Sequence, residues 1–180
     1  MVYICLGTGF EEVEALTPVD LLRRAGIGVK TVGISGRTVT GGHGIGVVTD
    51  LCVEELDVSD AEMIVLPGGL GGVAAIRGSE KTLQAVRAVH EAGKFVAAIC
   101  AGPTVLADLG ITDGKKATCY PGCESGMGGA RMEENAAVVR DGRIITGTSA
   151  GCAVKFALAL IEALRGEEAA REIREQIVIR

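Results

Sequence analysis

The sequence is poor in aromatic residues and has no block of basic ones. Aromatic side chains are 3% of the 180 residues, tryptophan is absent, and 18 basic against 23 acidic residues give a net charge of −5. Nucleic-acid binding needs clustered Lys and Arg for phosphates and aromatic rings for unpaired bases. We therefore expect no nucleic-acid partner.

Long apolar runs and a basic leader are also missing. No stretch approaches the roughly 18 uncharged apolar residues of a membrane-spanning helix, and residues 1–5 lack the basic region of a signal peptide. We therefore expect a cytoplasmic protein with no membrane partner. In that reducing compartment the six cysteines, at positions 5, 52, 100, 119, 123 and 152, are expected to be free thiols.

What the sequence does have is a large apolar fraction and many glycines. Hydrophobic residues make up 48% of the chain, and 27 of the 180 residues are glycines without a regular period. Because the glycines do not follow a G-X-Y repeat, the chain is not a collagen triple helix. We predict a single domain over residues 1–180.

Short apolar runs alternate with amphipathic segments along the first hundred residues. In chain order they are residues 2–6, 11–25, 29–34, 63–66, 83–92 and 95–99. Uninterrupted apolar runs such as residues 95–99 are typical of strands covered on both faces by helices. The pattern predicts an α/β fold: a mostly parallel sheet flanked by helices in a three-layer sandwich.

Two further segments are predicted as added β-hairpins. Residues 37–50 turn at the glycine-rich Gly41–Gly44, and Asp141-Gly142 joins two short strands. After them, Gly166 separates two predicted helices. The apolar tail, residues 177–179, either packs on the core or joins a partner subunit.

Three loops follow the predicted parallel strands, at residues 7–12, 67–72 and 100–103. Such loops open on one crevice, so we expect them to share one site. The first begins like a dinucleotide-binding turn, but its glutamates would repel a pyrophosphate, so no cofactor is expected. Cys119 and Cys123 have no histidine near them in sequence, so no metal is expected either.

Cys100 is the candidate nucleophile. It ends an apolar run, Ala101-Gly102 permits a tight turn, and Pro103 suits the first turn of a helix. The helix start is expected to lower the pKa of the thiol, and the backbone amides of this turn, of Gly68 and of Gly69 are expected to hold an oxyanion. The alternative is a small buried cysteine without function.

Glu14 is the candidate partner of Cys100, one turn into the first helix. Burial raises the pKa of a carboxyl group, so a protonated Glu14 would donate to the thiolate or carry a substrate proton. The alternative is that Glu11, Glu12 and Glu14 only complement the helix dipole.

The remaining cysteines have weaker signals. Cys152 starts a predicted helix, which could activate it. Cys119 and Cys123 flank Pro121-Gly122 and form either a redox pair or, as we expect, a solvent-accessible loop pair without function.

Several motifs together resemble the ThiJ/PfpI superfamily, and within it the parkinsonism-associated deglycase branch. They are Gly9-Phe10-Glu11-Glu12-Val13-Glu14, Pro18-Val19-Asp20, Arg23-Arg24-Ala25-Gly26, Leu66-Pro67-Gly68-Gly69 and Ala97-Ala98-Ile99-Cys100-Ala101-Gly102-Pro103. The resemblance implies a flavodoxin-like sandwich, a homodimer, an easily oxidised cysteine, and glyoxalase, deglycase and chaperone-like activities.

The resemblance also assigns site residues. It implies that Cys100 is the nucleophile, Glu14 the buried acid, Gly68 and Gly69 the oxyanion donors, and Ala101 the residue after the nucleophile, where the proteolytic branch has histidine. Protease activity is therefore not expected.

This chain departs from the branch in its auxiliary groups. Tyr120 stands where a histidine precedes proline, and Gly44 stands where the branch has an anion-binding arginine. His43 could replace the missing imidazole, although a flexible surface histidine is the simpler interpretation, and Arg24 is a further auxiliary candidate.

The leading hypothesis is a cofactor-independent glyoxalase or deglycase, a lyase or hydrolase, acting on small dicarbonyls or on glycated amino groups. The alternative is a redox-responsive stress protein or chaperone in which Cys100 is oxidised to sulfinate.

Overall fold

The computed structural model describes residues 1–133 and 135–179. Within these residues the chain forms eleven strands and six α-helices. The strands are β1 (Val2–Leu6), β2 (Val29–Gly33), β3 (Thr38–Thr40), β4 (Gly46–Val48), β5 (Leu51–Cys52), β6 (Met63–Leu66), β7 (Phe95–Ile99), β8 (Lys116–Ala117), β9 (Arg131–Met132), β10 (Val138–Asp141) and β11 (Ile144–Gly147). The helices are α1 (Glu12–Arg24), α2 (Leu70–Arg77), α3 (Glu80–Glu91), α4 (Pro103–Asp108), α5 (Ala153–Arg165) and α6 (Glu167–Gln176).

Seven strands form the main sheet, in the order β10-β11-β7-β6-β1-β2-β5. All neighbouring pairs are parallel except β10 and β11. At the centre, Val2 of β1 lies opposite Val29 of β2 and Met63 of β6. The predicted mostly parallel sheet is confirmed.

Helices cover both faces of this sheet. Val2, Ile4 and Leu6 of β1 pack in one core cluster with side chains of α1, α5 and α6. Tyr3 and Cys5, which point to the opposite face, pack with side chains of α2, α3 and α4. Because successive strand residues face opposite layers, a strand buried on both sides is apolar throughout. The predicted three-layer sandwich is confirmed.

Both predicted hairpins are present, with different roles. Strands β3 and β4 form a separate antiparallel pair. Two hydrogen bonds hold this pair to the loop at residues 7–12, from Gly9 N–H to Thr40 O (2.8 Å) and from Gly42 N–H to Phe10 O (2.7 Å). The second hairpin instead widens the main sheet, because β11 pairs in parallel with β7. The end of β11 therefore opens on the same crevice as the other parallel strands.

The loop predicted at residues 67–72 is shorter than expected, because α2 begins at Leu70. The first turn of α2 lies directly against the loop at residues 7–12. A Cβ added to Gly71 would lie 2.8 Å from Thr8 O, and one added to Gly72 would lie 2.7 Å from Phe10 Cα. These glycines therefore allow close contact between two segments, and they do not keep the chain out of a helix.

The two C-terminal helices are confirmed, and Gly166 separates them with a φ of +89°. Of the apolar tail, Ile177 packs against the core, whereas Val178 and Ile179 are exposed. None of the described helices is long and apolar enough to cross a lipid bilayer.

Two leucines of α5 test the packing of this layer. Leu160 is fully buried and Leu158 only partly. We expect Leu160→Ala to lower the free energy of unfolding by about 2–5 kcal/mol, since it leaves a cavity, and Leu158→Ala to lower it by less. Urea denaturation of both variants measures this. Equal losses would contradict the assigned packing.

Candidate active site

Cys100 occupies a sharp turn between β7 and α4. Its φ is +65°, a left-handed conformation that residues other than glycine adopt rarely and at a cost of about 1–3 kcal/mol. Hydrogen bonds hold the turn, from Cys100 N–H to Gly147 O (3.0 Å) and from Gly102 N–H to Ile99 O (2.9 Å). The thiol is half-buried at the carboxyl end of the sheet. The predicted turn before a helix that begins with Pro103 is confirmed.

Glu14 extends from α1 to the same point and is 1% exposed. Its carboxylate accepts a hydrogen bond from Gly68 N–H (3.0 Å), a second from the Ala150 backbone, and shares a hydrogen bond with the Cys100 side chain. Glu11 instead caps α1, since its Oε2 accepts a hydrogen bond from Glu14 N–H (2.7 Å). Glu11 thus stabilises the helix start, while Glu14 faces Cys100.

The electrostatics of this pair differ from the expectation for Cys100. Burial raises the pKa of Glu14 to about 7. The predicted lowering of the Cys100 pKa is wrong: burial, the Glu14 charge and the hydrogen bond to Glu14 raise it to about 12. The Ala101 and Gly69 amides oppose this rise but do not outweigh it. Cys100 therefore keeps its proton at neutral pH while Glu14 titrates near pH 7, so the two acidic groups in contact are not ionised together.

The three expected oxyanion donors have two different roles. Backbone amides of Gly69 and Ala101 hydrogen-bond the Cys100 sulfur. The Gly68 amide is taken by the Glu14 carboxylate, so its assignment as an oxyanion donor is corrected. Gly68 must also lack a side chain, since an added Cβ would lie 2.5 Å from both Cys100 Cβ and Glu14 Oε2.

A cavity of about 380 Å³ opens beside Cys100. Its lining comes from the segments that follow β1, β6, β7 and β11 and from the turn at residues 120–123: Glu11, Glu14, Gly69, Leu70, Cys100, Ala101, Tyr120, Cys123, Ser149, Ala150 and Gly151. The predicted convergence of the three loops is confirmed. Residues 149–151, which follow β11, are a fourth contribution to the lining.

The auxiliary candidates separate into one at the cavity and two away from it. Tyr120 lines the cavity, is 48% exposed, and donates its N–H to Cys100 O (2.8 Å). His43 is outside the lining: its exposed ring places Nδ1 2.7 Å from Glu12 Oε2. Arg24 is also outside, where it pairs with Asp20 (2.9 Å). Neither is among the residues of this chain that line the cavity.

The Glu11, Glu12 and His43 side chains place potential metal-ligating atoms within 4.8 Å of one another. Two hydrogen bonds already join Glu12 and His43, one from the His43 backbone amide (2.7 Å) and one with its ring. The cluster is thus accounted for by their pairing, which attaches the β3–β4 hairpin to the start of α1.

The other cysteines differ from the expectations in part. Cys152 is buried, and its thiol donates to Ser149 O (3.0 Å), so the helix start does not present it to solvent. Cys119 is 4% exposed, which corrects its assignment to a solvent-accessible pair. Burial and the charges of Glu124 and Cys123 raise the pKa of Cys119 to about 11. Cys123, in contrast, lines the Cys100 cavity.

The raised pKa of Glu14 predicts how stability depends on pH. The folded-state value of about 7 exceeds the ordinary 4.5, so protonation of Glu14 favours folding. This contribution is complete below pH 4.5 and is lost as the pH rises through 7. We expect the melting temperature of Glu14→Gln to rise relative to wild type across that interval, as measured by calorimetry.

Glu12→Gln is the control of opposite sign. Burial raises the pKa of Glu12, but hydrogen bonds from His43 outweigh it, so the net shift is downward. Its stabilising contribution is present at neutral pH and is lost on acidification. We expect Glu12→Gln to be less stable than wild type at pH 7, with a difference that shrinks at low pH. The same pH trend in both variants would contradict the assignment of Glu14.

Gly68 offers a steric test of the pair. We expect Gly68→Ala to displace Glu14 or Cys100, since the new methyl group would overlap both, and to lower the free energy of unfolding by about 1–3 kcal/mol. In the matched control Gly46→Ala, a Cβ would meet no described atom within 4 Å. Denaturation and the alkylation rate of Cys100 measure the effect. Unchanged values in Gly68→Ala would rule out the close contact.

Comparisons with known proteins agree with this fold. The model of the DJ-1/PfpI family matches residues 1–163. Protein dj-1beta of Drosophila melanogaster is 34% identical over 98% of this chain and 95% of its own length, and its crystal structure superposes with a TM-score of 0.93 over 99% of this chain and 97% of that one.

Two further relatives come from other organisms. The structure of oxidized DJ-1 from Toxoplasma gondii has a TM-score of 0.92 at 31% identity, covering 98% of this chain and 97% of that one. A protein of Pyrococcus horikoshii named as a deglycase is 36% identical over 76% of this chain and 82% of its own length. The chain therefore belongs to the DJ-1/PfpI family, as its motifs predicted.

Proposed function

We propose that this protein is a cofactor-independent, cysteine-dependent glyoxalase or deglycase. Its substrates would be reactive dicarbonyls such as glyoxal and methylglyoxal, free or as adducts on amino groups. The observation that carries this proposal is the contact between Glu14 and Cys100 beside a cavity, with amides of Gly69 and Ala101 at the sulfur. The relative named as a deglycase supports enzymatic activity in the family.

The first step is addition of Cys100 to the aldehyde. The sulfur attacks the carbonyl carbon while the thiol proton passes to Glu14. The carbonyl oxygen becomes an oxyanion, stabilised by the Gly69 and Ala101 amides that already face the sulfur. Glu14 then returns the proton to this oxygen, which gives a hemithioacetal.

The second step moves a proton between adjacent carbons. Glu14 takes the hydrogen of the former aldehyde carbon, and an enediolate forms as the hemithioacetal hydroxyl passes its proton to the former ketone oxygen. Glu14 then delivers its proton to the former ketone carbon, which leaves a thioester on Cys100 and a hydroxyl group on the neighbouring carbon. Water hydrolyses the thioester to a hydroxy acid and the free thiol. One carbon is oxidised and its neighbour reduced, so no external redox cofactor takes part.

Glu14 suits this work without help from an imidazole. A pKa of about 7 lets the carboxyl group accept and return a proton with little cost near neutral pH. Tyr120 stands at the cavity where related proteins have a histidine, and we assign it to contact with the substrate rather than to proton transfer. The burial of Glu14 thus compensates for the absence of histidine from the cavity lining.

This mechanism predicts the effects of two substitutions. We expect Cys100→Ser to abolish the formation of lactate from methylglyoxal, because the hydroxyl is a much weaker nucleophile. We expect Glu14→Gln to lower kcat/KM by about 100-fold or more, as removal of a general acid–base group typically does. Lactate is measured enzymatically, with a phosphine to keep the thiols reduced.

Cys52→Ser is the matched control, since Cys52 lies in the edge strand β5, outside the cavity lining. It should keep the wild-type rate. Full lactate production by Cys100→Ser would exclude the proposed chemistry.

A further inference from the structure

The cavity beside Cys100 contains a second thiol that the proposed chemistry does not use. Cys123 lines the same cavity of about 380 Å³ and is half-buried. The residues that carry the family resemblance do not include it. Two cysteines at one cavity can form a disulfide when an oxidant can reach them and their sulfurs can meet.

The segment that carries Cys123 is tied to Cys100 by backbone hydrogen bonds. Tyr120 N–H donates to Cys100 O (2.8 Å), and Cys123 N–H donates to Tyr120 O (2.9 Å). The second bond closes a turn with Pro121 and Gly122 at its centre, and Gly122 has a φ of +96°, as a type II turn requires at that position. Cys123 is therefore held in place relative to Cys100.

Cys119, at the other end of this turn, has a different environment. It is 4% exposed, packs in a small cluster with Ala117 and Met127, and its thiol contacts Tyr120 O. It does not line the cavity. Cys123 thus lines the cavity, although it also packs against this cluster, whereas Cys119 lies inside the cluster, so the two provide a matched pair of variants.

We propose that Cys123 is a resolving thiol, which converts the sulfenic acid of Cys100 into an intramolecular disulfide. The oxidant is a hydroperoxide. The Cys100 thiol gives its proton to Glu14 as its sulfur attacks the outer oxygen, the O–O bond breaks, and the leaving oxygen takes up that proton to depart as water or an alcohol, so that Cys100 carries a hydroxyl group. The Cys123 sulfur then attacks the Cys100 sulfur, the S–S bond forms, and the hydroxyl leaves as water with the thiol proton.

The net reaction is a two-electron oxidation of the two thiols and a two-electron reduction of the hydroperoxide. Its consequence is protective. A disulfide returns to two thiols on exchange with a small thiol, whereas a second peroxide would convert the sulfenic acid to sulfinate, which thiols do not reduce. The same cavity thus serves a reversible oxidation in addition to the proposed dicarbonyl chemistry.

The test is peptide mapping after one equivalent of hydrogen peroxide, with alkylation of free thiols and digestion without reductant. Trypsin places Cys100 in the peptide 95–115, and Cys119 and Cys123 together in the peptide 117–131. In the wild type we expect these two peptides to be linked within one chain, with fragment ions that assign the bond to Cys123. Cys119→Ala should give the same link.

In Cys123→Ser the link should disappear, and the fraction of Cys100 carrying two added oxygens should rise several-fold. The proposal is overturned if the wild type accumulates sulfinate as readily as Cys123→Ser. It is also overturned if fragment ions assign the bond to Cys119, or if the link joins two chains. The mapping does not depend on dicarbonyl turnover, so this proposal and the proposed function fail separately.

Discussion

The contact between the Glu14 carboxyl and the Cys100 sulfur is the interaction on which this site depends. Two acidic groups that are buried together cannot both be ionised without a large cost, so the pair keeps at least one proton near neutral pH. That proton is available to a substrate at the point where the sulfur attacks. Amides of Gly68 and Ala150 orient the carboxyl group, and amides of Gly69 and Ala101 face the sulfur.

The fold brings the residues of this contact together at one edge of the sheet. Parallel strands β1, β6, β7 and β11 end at one edge of the sheet, and each is followed by a segment that reaches the cavity. The close approach of these segments requires glycine at two positions. A Cβ on Gly68 would overlap Glu14 and Cys100, and a Cβ on Gly102 would lie 2.6 Å from Leu66 O. The positive φ of Cys100 completes the arrangement, and hydrogen bonds to neighbouring strands hold it.

The sequence predicted what depends on local pattern. Apolar runs revealed the sheet, and the position of Cys100 after one of them, before Pro103, revealed the turn. The direction of the Cys100 pKa was wrong, because it depends on burial and on a charge from another element. Residues 149–151 reach the cavity because β11 pairs with β7, and this long-range contact cannot be predicted from a local pattern. Local sequence also does not show which surface residues share a cavity, and the structure pairs His43 with Glu12 and Arg24 with Asp20, outside the cavity lining.

The shared proton can be observed directly by carbon NMR of the protein with labelled glutamate side-chain carboxyl groups, with Glu14→Gln identifying the Glu14 signal. The account predicts a titration of Glu14 centred near pH 7, shifted when Cys100 is replaced by serine. A titration centred near the ordinary value of 4.5, unaffected by that replacement, would contradict it.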